Sequence, residues 1–338
     1  MAEGESTAVV GADIDDLGWS NTRLWVERNL SPGDRIRAVA TLRGGWTSQM
    51  RRLDVEGEGG PYSVVLRSFV KPFFVKHALG LLTREADILR LLADTNVPAA
   101  SLRGVHAAVE HCDHPSLLMS LLPGSIRLDG EDIERRTELL ARQLVAIHRL
   151  VVPEEVRPRI YQAWTSPERV EVPEQPNQPD VWQRAVDVIR RPPPAYQPCF
   201  LHRDFHLGNV LFAGEGADLA ITGVVVWVET SWGPADLDVA HCSTALALLH
   251  GVHVGMRLAD HYIAAGGTLS AGPADHLYWR VLDALAFAPD AEKVAGPWRG
   301  LGRVDLTSAV LAQRLEEYLQ ALFSRHGWAV GARVPCHG

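Results

Sequence analysis

The sequence predicts an α+β protein of two parts, in which a small antiparallel sheet precedes a larger, mainly helical region. The chain has 338 residues, and at roughly 100 to 200 residues per domain this length favours two domains. The first third reads as strands with one helix, and the apolar run 117–122 stops at Pro123 and Gly124, which are typical of a hinge. We therefore place the boundary near residue 122 and expect parts at 1–122 and 123–338.

Composition and charge restrict the classes of ligand. Hydrophobic residues make up 46% of the chain and charged residues 22%, which is ordinary for a globular protein with a sizeable core. The formal net charge is -8 and there is no basic block, so nucleic acid and anionic membranes are not expected partners. A small cationic or neutral ligand fits this charge better.

The sequence also predicts a cytoplasmic protein with no membrane partner. Its longest apolar stretches, such as 224–228, are far shorter than the ~18 residues that a membrane span needs. The first residues, MAEGESTAVVGADIDD, lack the basic and apolar regions of a signal peptide. The four cysteines are scattered without a CxxC pair, so we expect reduced thiols.

The first part contains three predicted strands. Residues 36–42 and 50–55 are typical of strands, and they flank a glycine-centred turn at 43–49. Residues 62–69 form the third predicted strand. The first part is therefore expected to be built on an antiparallel sheet.

A helix is predicted to follow the third strand. From Thr83 onward, Glu85, Leu89 and Leu92 recur at i, i+4 and i+7, which places them on one helix face. Pro98 marks the end of this helical stretch. One glutamate therefore shares the inward face with leucines, which favours a buried ion pair over an exposed charge.

The second part is mainly helical in its sequence pattern. Residues 132–151 carry Leu140 and Leu144 on an apolar face and predict an amphipathic helix. The proline-rich stretch 152–198 predicts a long connection with one helix at 181–189. Two strands and three helices complete the prediction, at 210–212, 221–227, 237–250, 272–287 and 306–324.

The most informative stretch is 201–211, a polar loop between an apolar segment and a strand, which is called the polar loop below. In this loop Asp204 is followed five residues later by Asn209. Phosphoryl transfer needs a carboxylate that takes the hydroxyl proton and an amide oxygen for Mg²⁺, and these two residues supply both. The spacing alone is weak evidence. It becomes specific because a glycine turn, an inward glutamate and a hinge precede it, and a hairpin follows, in that order.

Four stretches carry a resemblance to a known family. The chain resembles the aminoglycoside phosphotransferase and choline kinase family of small-molecule kinases, and it does so over nearly all of its length. The resemblance implies a bilobal protein-kinase-like fold and transfer of the ATP γ-phosphate to a hydroxyl of a small molecule, with ATP and Mg²⁺ as cofactors. The matching stretches are LHRDFHLGNVLF at 201–212, TGVVVW at 222–227, WGPADLDVAH at 232–241 and YWRVLDALAF at 278–287.

The resemblance also implies roles for individual residues. Asp204 is the expected catalytic base, Asn209 a metal ligand and Asp238 the structural aspartate that follows Gly-Pro. Arg67 takes the place of the phosphate-binding lysine, with Glu85 as its helix partner. The residues expected to bind ATP through the phosphate loop, the ion pair and the hinge are Gly44, Gly45, Ser48, Arg67, Glu85, Met119 and Leu121.

Two positions depart from the family pattern. Arg67 keeps the positive charge of the family's lysine but differs from it in shape, so phosphate contacts would be rearranged. Val226 stands where the family has the aspartate that is its chief magnesium ligand, just before Trp227. Loss of one oxyanion donor costs roughly 10²- to 10³-fold in rate, and a metal carboxylate should count for at least as much. Glu229 is the candidate substitute ligand, provided that the chain turns after Trp227, and Asp236 is a further candidate more remote from the expected site.

Three readings of function therefore stay open. The first is an ATP-dependent phosphotransferase that acts on a small hydroxylated molecule, and the second is a pseudokinase whose cleft binds a metabolite or a partner. In the third, Asp204 and His206 act as acid and base on a metabolite without ATP. His202, Asp204 and His206 could also ligate zinc in a hydrolase, but we expect His202 to brace the loop and His241 to be structural. Trp164 and Trp182 are the tryptophans expected to line an acceptor site.

Overall fold

The chain divides into two compact units, each of which consists of two separate segments of the sequence. A computed structural model describes residues 18–42, 47–108 and 110–326. The first unit comprises residues up to Gly124 together with Thr222–Val228. The second comprises Ser125–Ile221 and everything from Glu229 onward. The chain therefore returns to the first unit for seven residues, which a boundary near residue 122 does not anticipate.

A five-stranded sheet forms the body of the first unit. Its order is β1-β2-β3-β5-β4, with every neighbouring pair antiparallel. The three predicted strands are confirmed as the first three, whereas β4 was not foreseen and the predicted hinge run lies mostly in β5. The strands are β1 (Arg35–Leu42), β2 (Gln49–Gly57), β3 (Gly60–Ser68), β4 (Leu102–His106) and β5 (Ser116–Ser120).

Two helices complete the described part of the first unit. Helix α1 (Ser20–Arg28) places Val26 in a core with Leu53, Val64 and Leu118 of the sheet. Helix α2 is Pro72–Leu92, so it begins well before the predicted start at Thr83. Proline near its first position is preorganised for a helix start. Its buried stripe recurs with helical spacing at Ala78, Leu82, Glu85, Leu89 and Leu92, which confirms the inward orientation of the glutamate.

The second unit is built around one central helix. Helix α5 (Ala235–His250) is buried from Ala235 to Leu249, so it has no solvent face over that length. Helix α6 follows it directly and packs closely, because a Cβ at Gly255 would lie 2.5 Å from the Ser243 carbonyl oxygen. The other helices are α3 (Ile133–His148), α4 (Pro179–Ile189), α6 (Val252–Ala264), α7 (Pro273–Ala286), α8 (Glu292–Gly300) and α9 (Ser308–Arg325).

Most of these helices match the sequence prediction, but α6 and α8 do not. The prediction missed α8, which contains Gly296 and Pro297; these residues ordinarily disfavour a helix interior. None of the described helices combines the length and the apolar character needed to cross a membrane.

Short strands position the polar loop. Strand β6 (Pro198–Leu201) precedes it and pairs antiparallel with β9 (Ser231–Pro234). Strand β7 (Val210–Ala213) follows it and forms a two-stranded sheet with β8 (Ala220–Val224). The predicted strand 221–227 is therefore too long, because β8 ends at Val224.

The chain turns at Val226 rather than after Trp227. Val226 has φ +66°, and a 3-10 turn at Trp227–Glu229 follows it. A left-handed conformation costs an L-residue roughly 1–2 kcal/mol, and a β-branched residue is an outlier there. Asparagine and aspartate tolerate this region better because their short polar side chains can hydrogen-bond locally to the backbone.

We expect Val226→Asn to stabilise the protein. The replacement relieves the left-handed strain and should raise the free energy of unfolding by about 1 kcal/mol, as measured by urea unfolding. Val225→Asn is the matched control, since Val225 is also half-buried and has no positive φ. It should be neutral or destabilising. An equal loss of stability in both variants would contradict the strain at Val226.

Candidate active site

Asp238 holds the start of the polar loop in place. Its carboxylate lies in the first turn of α5, is fully buried, and accepts hydrogen bonds from the backbone N–H groups of His202 and Arg203, both at 2.8 Å. His148 Nε2 lies 3.2 Å from the same carboxylate. Burial opposes ionisation, but the His148 hydrogen bond and the charge of Arg203 outweigh it and lower the pKa of Asp238. The carboxylate thus stabilises Arg203 in a left-handed conformation, φ +72°.

Within this loop Asn209 fixes the position of Asp204. The Asn209 side-chain nitrogen donates to the backbone oxygen of Asp204 and to its Oδ2, each at 2.8 Å. The Asp204 amide donates to His202 Nδ1 at 3.2 Å, and His202 is fully buried. The expectation that His202 braces the loop is therefore confirmed. The Asp204 carboxylate remains 29% exposed, so it can meet a ligand.

Two histidines face the other oxygen of Asp204. His241 Nε2 lies 3.3 Å and His206 Nε2 3.5 Å from Asp204 Oδ1. His241 Nδ1 in turn lies 3.2 Å from Asp283 Oδ1. Burial disfavours charge on both partners, but these hydrogen bonds hold the pKa of Asp204 far below its usual range. The carboxylates of Asp283 and Asp204 raise the pKa of His241 to about 9.

Sequence reasoning missed two members of this group. His241 was expected to be merely structural, and Asp283 was not considered. Both lie within the stretches that resemble the family, at 232–241 and 278–287. Only the packing of α5 against α7 places Asp283 behind His241, so residue spacing gave no signal for the pair.

Aromatic side chains surround the two histidines. The Trp164 ring packs edge-on against His241, with centroids 4.9 Å apart, and Phe287 stacks on it at 5.5 Å. Trp298 lies 6.3 Å from His206. Trp182, by contrast, is buried and donates to Glu316 at 2.8 Å. The expectation that Trp182 lines an acceptor site is therefore wrong, because its indole fills the core between α4 and α9.

The first unit contains the predicted ion pair. Arg67 is 4% exposed and donates to Glu85 Oε2, to Ser48 Oγ at 3.1 Å and to Thr47 Oγ1 at 3.3 Å. Glu85 Oε1 accepts from the backbone N–H of Trp227 at 3.3 Å. The two oxygens of Glu85 therefore connect Arg67 to the residue that follows Val226. A buried ion pair of this kind is kept only where further hydrogen bonds satisfy both partners.

The other residues predicted to bind ATP are two loop glycines and two residues of the hinge run. Gly44 and Gly45 lie outside the described residues. Met119 lies in β5, 8% exposed, opposite Val65 of β3. The Leu121 amide donates to the Ser63 carbonyl at 3.3 Å, so this hinge N–H serves the sheet. The adenine contacts of Met119 and Leu121 stay predictions.

The donor set does not fit the magnesium site that the resemblance implies. Mg²⁺ is usually held by one or two carboxylates with near-ideal octahedral geometry, whereas Val226 offers only hydrocarbon at the family's aspartate position. The Glu229 carboxylate is paired with Arg159 at 2.8 Å. The Asn209 amide oxygen accepts no hydrogen bond from the described residues. Asn209 and Glu229 as metal ligands therefore stay predictions.

Comparison with known families decides the classification. A sequence model described as "Phosphotransferase enzyme family" matches residues 38–285. The chain belongs to this family. The match includes β1 to β5, the polar loop and α5, and it ends within α7. The comparison with curated proteins gave no match.

Solved structures confirm the protein-kinase-like α+β fold. A proposed aminoglycoside phosphotransferase from Ralstonia eutropha JMP134 has a TM-score of 0.61 and 16% identity, covering 92% of this chain and 98% of its own. A microcompartment-associated aminopropanol kinase has a TM-score of 0.56 and 15% identity, covering 89% and 95%. An ethanolamine kinase from Plasmodium vivax has a TM-score of 0.52 and 11% identity, covering 88% and 85%. At these identities the likeness concerns the fold.

We expect Asp238→Ala to destabilise the protein strongly. The variant leaves two buried backbone N–H groups without an acceptor and should lower the free energy of unfolding by roughly 3–5 kcal/mol, as measured by urea unfolding. Asp187→Ala is the control, because Asp187 is exposed and pairs only with neighbouring side chains on α4. It should change stability by less than about 0.5 kcal/mol. Similar values for the two variants would contradict the role given to Asp238.

Acid should destabilise the wild type, because it protonates the Asp238 carboxylate. Because the folded-state pKa of Asp238 is lowered, its stabilisation is present above the ordinary aspartate pKa of about 3.9 and is lost as the pH falls below it. Asp238→Ala should therefore show a shallower loss of stability than the wild type between pH 5 and the acid limit of folding.

Proposed function

We propose that this protein is a small-molecule kinase that transfers the γ-phosphate of ATP to a hydroxyl group, at a rate lowered by the loss of the metal-binding carboxylate at Val226. The observation that carries the proposal is the Asp204–Asn209 pair, in which a partly exposed, ionised carboxylate is held by an amide five residues later. Membership of the phosphotransferase family supports it.

Asp204 is the residue that meets the acceptor. The substrate oxygen attacks the γ-phosphorus, the bond from that phosphorus to the β–γ bridging oxygen breaks, ADP leaves, and the hydroxyl proton passes to Asp204. A carboxylate with a lowered pKa is a weak base. It suffices here because the transition state of phosphoryl transfer is loose, so that the hydroxyl must mainly be oriented and its proton removed late. Asn209, His206 and His241 keep the carboxylate oriented.

We further propose that the acceptor is a small hydroxylated amine. The related structures include kinases named for aminopropanol, ethanolamine and aminoglycosides, which are all amines that carry hydroxyl groups. Beside His241 the exposed ring of Trp164, with the Arg203 guanidinium 4.3 Å from its centroid, provides aromatic surface, and aromatic rings attract organic cations. The net charge of -8 agrees with a cationic ligand. A cytoplasmic location and the lack of nucleic-acid and membrane partners stay predictions.

A pseudokinase is the second candidate. Val226 and the Arg159–Glu229 ion pair favour it, since neither position then offers a free carboxylate. In that case the protein would bind a metabolite or a partner without turnover.

Substitution of Asp204 tests the proposed chemistry. ADP release with Mg²⁺ and ATP is measured in the presence of amino alcohols and aminoglycosides. Acceptor-dependent release should fall by about 10²- to 10⁴-fold in Asp204→Asn, because the proton acceptor is lost. Asp218→Asn, at an exposed turn, is the control and should leave the rate unchanged. Equal rates in wild type and Asp204→Asn would refute a base at this position.

Restoration of the carboxylate distinguishes the two candidates. Val226→Asp should raise acceptor-dependent turnover by at least about 100-fold, whereas Val226→Asn relieves the same backbone strain without supplying a carboxylate. A gain in Val226→Asp alone, over a measurable wild-type rate, supports the slow kinase. No turnover in the wild type, with or without a gain in Val226→Asp, favours the pseudokinase.

A further inference from the structure

Three side-chain atoms suited to metal ligation converge at the polar loop. They are a carboxylate oxygen of Asp204 and ring nitrogens of His206 and His241, all within 4.8 Å of one another. No second group of three such side chains occurs among the residues that the structure describes. The sequence had suggested His202 as a zinc ligand together with Asp204 and His206. His241 takes its place, because His202 Nδ1 accepts a hydrogen bond from the Asp204 amide.

The distances fit a small tetrahedral ion. Zinc lies about 2.0–2.2 Å from nitrogen and oxygen ligands, which places two ligand atoms of a tetrahedron roughly 3.3–3.5 Å apart. Asp204 Oδ1 lies 3.3 Å from His241 Nε2 and 3.5 Å from His206 Nε2. Two edges of the ligand triangle therefore already have the required length. The third distance, between the histidine nitrogens, is within 4.8 Å, and a shift of the His206 side chain, which is 15% exposed, would shorten it. His206 Nε2 also lies 3.3 Å from Asn209 Nδ2, a contact that zinc on Nε2 would replace.

The surroundings of His241 are those of a metal ligand. Asp283 Oδ1 lies 3.2 Å from its Nδ1, and a carboxylate on the distal nitrogen orients a ligating imidazole and increases its basicity. The other oxygen of Asp283 is buried without a hydrogen-bond partner in the described part of the chain. The carboxylate therefore has capacity to strengthen its contact with His241.

His206 is the more adaptable ligand. The backbone amide of Gly208 donates to its Nδ1 at 3.0 Å. A cation on Nε2 leaves the imidazole proton on Nδ1, which can then no longer accept a hydrogen bond. The Gly208 amide therefore has to donate to water instead. His241 and Asp204 therefore anchor the ion, and His206 completes the set at a cost.

We propose that Asp204, His206 and His241 bind a divalent transition-metal ion, with zinc as the representative, in preference to magnesium. Imidazole nitrogen suits zinc, copper, iron and nickel, whereas magnesium selects oxygen. Binding itself is independent of the proposed kinase activity. One consequence does rest on that activity: zinc on Asp204 occupies the proton acceptor and inhibits phosphoryl transfer.

Calorimetric titration of zinc chloride into the untagged full-length chain tests the site. We expect one ion per chain, unaffected by a large excess of Mg²⁺. His241→Gln should weaken binding by at least about 100-fold, and Asp283→Asn by about 10- to 100-fold, as for other second-layer carboxylates. His253→Gln is the matched control, because His253 is an exposed histidine on α6, and it should bind zinc like the wild type.

The remaining outcomes are decisive. Equal zinc affinity in the wild type and in folded His241→Gln would place the ion elsewhere and overturn the proposal, as would a wild type that binds no zinc. If circular dichroism shows that His241→Gln is unfolded, His206→Gln replaces it, and an unchanged affinity in both His206→Gln and Asp283→Asn overturns the site. Cobalt absorption in the wild type, lost in these variants, supports it. If the protein binds zinc but shows no ATP turnover when assayed zinc-free with Mg²⁺ and the acceptors, the kinase is refuted and the metal site stands.

Discussion

The polar loop depends on one buried carboxylate. Asp238, at the start of the central helix, binds the backbone amides of His202 and Arg203 and thereby holds Arg203 in a left-handed conformation. An unpaired carboxylate in this position would be costly, because a buried charge needs compensation by hydrogen bonds. Since α5 is buried over almost its whole length, the carboxylate cannot move away. The direction in which Asp204 leaves the loop is set by this contact.

Asp204 is consequently placed where two kinds of chemistry are available to it. One oxygen accepts a hydrogen bond from Asn209, and this carboxylate is the proposed base for phosphoryl transfer. The other oxygen faces His206 and His241, which are ligands for a transition metal as well as donors to a carboxylate. A proton or a cation between these groups neutralises the same charge. The charge on Asp204 and the two histidines therefore depends on whether a proton or a metal ion lies between them.

The first unit contains a buried ion pair that also contacts the residue after Val226. Arg67 and Glu85 form a buried pair, and Glu85 also accepts from the Trp227 amide. The left-handed conformation at Val226 is one that aspartate tolerates and valine does not. The backbone geometry suited to a carboxylate is therefore present without the carboxylate. The chain can therefore belong to the family although Val226 offers no carboxylate to magnesium.

Much of the fold followed from local pattern. The first three strands, α3, α4, α7 and α9 were predictable because apolar periodicity reports burial directly. Helix α5 was also predicted, although it has no solvent face that would produce such a period. The start of α2 was not, because exposed Phe73 and Leu79 on its outer face obscure the helical period. Gly255 and Pro297 lie within the two helices that were missed, and both residues weaken the local helical signal.

The sequence by itself indicated the family and the inward Glu85, and it predicted the pair Asp204 and Asn209 and the loss of an aspartate at Val226, because each is a matter of residue type and short spacing. Only the tertiary structure decided that His241 and Asp283 join Asp204, that Trp182 is a core residue and that Glu229 pairs with Arg159. These contacts link residues far apart in the chain. They depend on how the helices pack, which spacing along the sequence does not encode.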